Sequence, residues 1–138
     1  MANTAEITYM GNLHCEATHV ESKTVITTDA PKDNQGNGEA FSPTDLLATS
    51  LATCILTTMA IVAKRDGINR NIDGAKAEVV KIMSSNPRRV AEVQIKISFP
   101  KNYEEKERKI LETAAHNCPV SKSLHPDVKQ VLEFVYPA

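Results

Sequence analysis

Two of the three cysteines in this 138-residue chain stand where sulfur chemistry is possible. Cys118 directly precedes Pro119, which sets it at or beside the N-cap of a helix. Unpaired backbone N–H groups and the helix dipole favour a thiolate there, and the thiolate is the reactive form. The plainer role for the same residue is a structural cap. Cys54 lies 64 residues earlier, in the middle of an apolar helix. Its plain reading is a small buried hydrophobe, because free cysteine is among the most buried residue types. Only the fold can bring the two together. Cys15 sits in a strand-like stretch among polar neighbours and reads as incidental. No Cys-x-x-Cys or His-x-x-x-His spacing occurs, and His14, His19, His116 and His125 are dispersed, so no metal site is expected.

The elements that must position these residues follow from pattern. Residues 5 to 28 read as three short strands, EITYM, LHCEATHV and TVITTD, with Gly11-Asn12 as a hairpin turn between the first two. Residues 29 to 40 form a polar loop rich in Gly, Asn and Asp. Ser42 is a good N-cap, Pro43 suits the first helical position, and Asp45 stands where a capping-box acid reaches back. The helix so started runs to about Asp66, with Lys64 and Arg65 in its last turn and Gly67 beyond it. Two strands follow, Gly74 to Met83 and Arg89 to Phe99, joined at Ser84-Ser85-Asn86-Pro87. A second helix is expected from Tyr103 to about His116, capped by Asn102 with Glu105 three residues on. A short third helix runs from Pro119 through Leu124, and Val128 to Tyr136 closes as a strand. The order βββ-α-ββ-αα-β predicts one α+β domain over residues 1–138 with antiparallel sheets, since no strand–helix–strand alternation appears.

Composition narrows the function classes. A chain of this size buries enough surface to hold a core without disulfides or metal. The net charge is -1, there is no Trp, and the longest basic cluster is Arg88-Arg89. Nucleic-acid binding is therefore not expected. The first ten residues lack the pattern of a signal peptide, so the three cysteines point to a reducing compartment, the cytoplasm by default. Leu46 to Ala63 is 18 residues without a charge, long enough to span a membrane. Its five hydroxyls and its helix-start and helix-stop residues favour instead the central helix of a core, so no membrane partner is expected.

The stretch Phe41-Ser-Pro-Thr-Asp-Leu-Leu-Ala-Thr-Ser-Leu-Ala-Thr-Cys54 resembles the first-cysteine helix of the OsmC/Ohr family of osmotically inducible and organic-hydroperoxide-resistance proteins. Asn117-Cys118-Pro119-Val120-Ser121-Lys122-Ser123-Leu124 resembles its second motif, and the match is nearest the broader OsmC-like branch. The resemblance implies an intertwined homodimer with the two long helices packed centrally. It implies a peroxidatic Cys54, a resolving Cys118, a hydroperoxide substrate and a dithiol reductant, with no cofactor. Leu47, Leu51, Thr58 and Ile61 lie near the Cys54 face of the helix and are the expected lining of an apolar pocket, or else plain core.

The sequence departs from the peroxidase members of that family in two places. They use an Arg from the N-terminal strands and a Glu directly after the helix-opening Pro. This chain has no Arg before Arg65, and Thr44 stands in the Glu position. Asp45, one residue on, points about 100° away around the helix. His14, His19, Lys23, Arg88, Arg89, Lys122 and His116 are the candidate cations for activating Cys54. Two alternatives to a peroxidase follow: a non-enzymatic binding protein for an apolar or acyl ligand, and a thiol redox sensor.

Overall fold

The computed structural model describes residues 1–68 and 71–138, in two compact units, Met1–Leu46 and Leu47–Ala138. The first unit is an antiparallel sheet of β1 (Ala5–Gly11), β2 (His14–His19) and β3 (Val25–Asp29) in that order. The β1–β2 corner is Asn12-Leu13, one residue later than the expected Gly11-Asn12. Both corner residues have positive φ, 55° and 65°, the handedness that suits a two-residue hairpin. Leu13 tolerates that backbone poorly, and its N–H is held by the Tyr9 hydroxyl at 3.2 Å. After β3 the chain makes a 3-10 turn at Lys32–Asn34 and a glycine-containing loop. Gly36 is required in that loop: a Cβ there would strike the Ala30 carbonyl.

Helix α1 (Pro43–Arg65) starts in the first unit and runs on through the second. Ser42 and Asp45 form the expected reciprocal cap. The Asp45 N–H donates to Ser42 Oγ at 3.1 Å, and the Ser42 N–H donates to the Asp45 carboxylate at 3.0 Å. Gly67 follows the helix with φ 68°. By length and composition alone α1 could cross a membrane, yet Ala48, Leu51, Ala52, Ile55, Met59 and Ala63 are buried in the core of the second unit.

The second unit pairs β4 (Lys76–Ser84) with β5 (Arg89–Ser98) in antiparallel register and β5 with β6 (Lys129–Val135) in parallel register. This sheet is thus mixed, where an antiparallel one was expected. The chain between β5 and β6 carries two helices, α2 (Glu105–Ala115) and α3 (Pro119–Ser123), and so is long enough to return to the same end of the sheet. The alternating side of β5 (Val93, Ile95, Ile97) is buried in one core with α1 and with Leu111, Ala114 and Ala115 of α2. Helix α2 begins later than expected. Glu104, not Asn102, is its cap, and the Glu104 N–H donates to Glu107 Oε1 at 3.1 Å. Asn102 is engaged elsewhere: its amide donates to the Pro137 carbonyl, and its oxygen accepts from Arg108. Tyr103 enters the core against Phe99.

Candidate functional site

Cys54 lies halfway along α1 at the edge of the buried stripe. Leu51 and Ile55 on either side are fully enclosed, whereas Cys54 is half-buried. One turn further on, the Thr58 hydroxyl is 3.8 Å from the Cys54 sulfur. Cys118 is the N-cap of α3, with extended φ and ψ of -70° and 152°, and Pro119 occupies the first turn. Its sulfur accepts the Ser121 N–H at 3.4 Å. Both cysteines are free thiols of the second unit, and Cys54 is near enough to Cys118 to influence its acidity.

Burial pushes the Cys118 thiol above its ordinary acidity range. The Ser121 N–H opposes this by favouring the anion, and the neighbouring Cys54 sulfur adds to the upward push. The cap geometry expected from Cys118-Pro119 is present, but burial opposes the thiolate that it favours. Cys118 is 0% exposed, and desolvation outweighs the backbone donors.

A groove of about 560 Å³ runs between α1 and α2. Thr58 and Asn117 mark the end nearest the cysteines, since they touch or adjoin Cys54 and Cys118. Val62, Ile110, Thr113 and Ala114 also line it, and Arg65, Asp66, Lys106 and Lys109 bring charge to the groove. Of the expected lining, Thr58 is in this groove. Leu51 is in the core, Leu47 packs against it, and Ile61 faces solvent. Residues 62 and 65 on α1, and 106, 109, 110 and 113 on α2, were not singled out from the sequence. Their signal is helical spacing: 58, 62 and 65, like 106, 109/110, 113 and 117, recur on one face.

Five of the seven expected activating cations have other contacts. His14 Nδ1 lies 2.7 Å from the Asn12 carbonyl and His19 Nδ1 lies 2.6 Å from the Ser22 hydroxyl, both in the first unit with Lys23. Arg89 donates to the Val90 carbonyl, Arg88 has its own partner, and the His116 ring packs on Phe134. Lys122 is exposed in the last turn of α3. Among the described contacts, no cation reaches the Cys54 sulfur. Cys15 pairs with Tyr9 and Thr28 in mid-sheet.

The chain is similar over 97% of its length, at 50% identity and a TM-score of 0.92, to 96% of a Psychrobacter arcticus protein whose name gives it provisionally as an osmotic stress induced and detoxification response protein. An organic hydroperoxide resistance protein of Legionella pneumophila shares the fold, with a TM-score of 0.75, 16% identity and 98% of both chains covered. So does the organic hydroperoxide resistance protein OhrB of Bacillus subtilis, with a TM-score of 0.67, 21% identity, and 96% of this chain and 98% of that one covered. No curated protein matches the sequence significantly. The family model for OsmC-like protein matches residues 36–133, most of the chain and both cysteine motifs, and the chain therefore belongs to the OsmC-like family.

Proposed function

We propose that the protein is a cysteine-based hydroperoxide reductase in which Cys54 attacks the peroxide and Cys118 resolves the product. The observation that carries this reading is the proximity, within one unit, of two free thiols that the sequence separates by 64 residues. Their unequal burial suits unequal roles. The Cys54 thiolate attacks the O–O bond and becomes a sulfenic acid, and the alkoxide that leaves takes a proton from water to give an alcohol. The protonated Cys118 thiol then condenses with that sulfenic acid, giving a Cys54–Cys118 disulfide and water. A dithiol reductant restores both thiols by exchange and leaves as a disulfide.

The groove supports an amphipathic peroxide. Arg65 lies 11 residues beyond Cys54 on α1, roughly 16 Å along the axis at 1.5 Å per residue. A substrate with its peroxide beside Thr58, an apolar body along Val62 and Ile110, and an anionic group near Lys106 and Lys109 fits that length and polarity. A homodimer in a reducing cytoplasm belongs to the same reading. It is supported by the apolar surface left open, including Ile61 on α1 and Ile7, Tyr9 and Met10 on β1.

The test is consumption of a carboxylated fatty hydroperoxide and of cumene hydroperoxide with dithiothreitol as reductant. Cys54→Ser should fall to background with both. Cys118→Ser should complete about one turnover and then accumulate a sulfenic acid that dimedone traps. Equal rates for wild type and Cys54→Ser would remove Cys54 from the chemistry. That no cation among the described residues is seen against Cys54 keeps a second reading in view, a binding protein for an acyl ligand. An acyl chain that co-purifies in native mass spectrometry, without peroxide turnover, would decide for it.

A further inference from the structure

We propose that His14, Asp29 and Glu39 form a site for a divalent transition metal ion of the zinc type in the first unit, apart from the thiol chemistry. The three residues come together through strand register and loop path. The β1–β2 corner delivers His14 as the first residue of β2, and it pairs directly with Asp29 at the end of β3. The following loop brings Glu39 back, where its N–H donates to Asp29 Oδ2 at 3.0 Å beside the Asn37 N–H at 3.1 Å. One potential ligand atom from each of the three lies within 4.8 Å of the other two.

Two independent features point to an ion. The first is the His14 ring. Its Nδ1 lies 2.7 Å from the Asn12 carbonyl, which can only accept, so Nδ1 carries a proton. In the neutral ring this leaves Nε2 unprotonated, 3.6 Å from Asp29 Oδ2. A ligating histidine is commonly oriented in this way, by a backbone carbonyl on its other nitrogen. The spacing is long for a hydrogen bond. The second feature is the Asp29 carboxylate, which is 1% exposed while its Oδ1 has no hydrogen-bond partner. A buried carboxylate oxygen without a donor is costly, and a metal ion would satisfy it. One imidazole and two carboxylates are the hard-to-borderline donors that zinc, cobalt and manganese accept. Glu39 is exposed, which leaves a side open for the ion and water to enter.

The competing account is an imidazolium–carboxylate pair without metal. Calorimetric titration of the full chain with Zn²⁺ separates the two, in a Cys54→Ser/Cys118→Ser background that removes the thiol pair as a rival ligand. One equivalent of zinc is expected to bind, with affinity reduced at least tenfold in His14→Gln and in Glu39→Gln and unchanged in His19→Gln. Glu39 is exposed, so its variant should keep the fold, as circular dichroism would verify. No stoichiometric binding of Zn²⁺, or binding that His14→Gln and Glu39→Gln leave intact, would overturn the site.

Discussion

Cys118 is the more enclosed of the two thiols, and enclosure sets its acidity. Its position before Pro119 predicted a cap that favours an anion, and the cap is there. The sequence did not reveal that Leu111, Ala114, Ala115 and the core side of α1 would exclude water around the sulfur. The pH consequence has a definite sign. A thiol raised in the folded state contributes its full stability below the unfolded-state pKa of about 8.5, and that contribution is lost as pH rises through the folded value. Urea unfolding of the reduced protein between pH 7 and 10 should show stability falling over the upper part of that range. The fall should be shallower in Cys118→Ala. At the other end of the groove, Lys106→Ala and Lys109→Ala should each raise KM for a carboxylated hydroperoxide by roughly 1.5- to 5-fold, corresponding to about 0.2–1 kcal/mol for an exposed ion pair. The KM for cumene hydroperoxide, which has no anionic group, should not change.

Helix α1 illustrates how far an element can be read locally. Its cap, its first-turn proline and its terminal glycine are all short-range signals, and all three are realised. Ser42→Ala should cost about 1 kcal/mol in urea unfolding, through the lost bond to the Asp45 N–H. Leu51→Ala should cost more, about 2–5 kcal/mol, because Leu51 is fully enclosed in the core. A smaller loss for Leu51→Ala than for Ser42→Ala would contradict the central place of α1 in the second unit. Elements were misread where a distant partner decided. Asn102 looked like the cap of α2, but the Pro137 carbonyl and Arg108 claim its side chain, so the helix starts at Glu105 with Glu104 as its cap. Strand β6 alternates well enough to be recognised, yet nothing in its own residues specifies that it runs parallel to β5.

Across the whole molecule, the first unit has little interior of its own. Among its described residues only Asp29 and Ser42 are buried, while Ile7, Tyr9, Met10, Val25, Ile26 and Phe41 are exposed. A three-stranded sheet with both faces open is marginal in water, and the proposed second copy of the chain would cover it. Light scattering coupled to size exclusion should give twice the chain mass. Ile61→Glu, at an exposed apolar position on α1, should shift the protein toward monomer at low micromolar concentration. A monomeric wild type across that range would refute the assembly.

Short-range order was settled by the chain itself. The element sequence, the start and end of α1, the buried stripe of β5 and the two cysteine motifs all follow from propensity, capping and periodicity over a few residues. Tertiary structure alone decided which groups meet. It brought Cys54 near Cys118, set Lys106 and Lys109 in one groove with Thr58, and closed His14 and Glu39 around Asp29. Those encounters depend on strand register, on crossover direction and on which side chains lose their water. These are properties of segments packed together, and no single segment carries them.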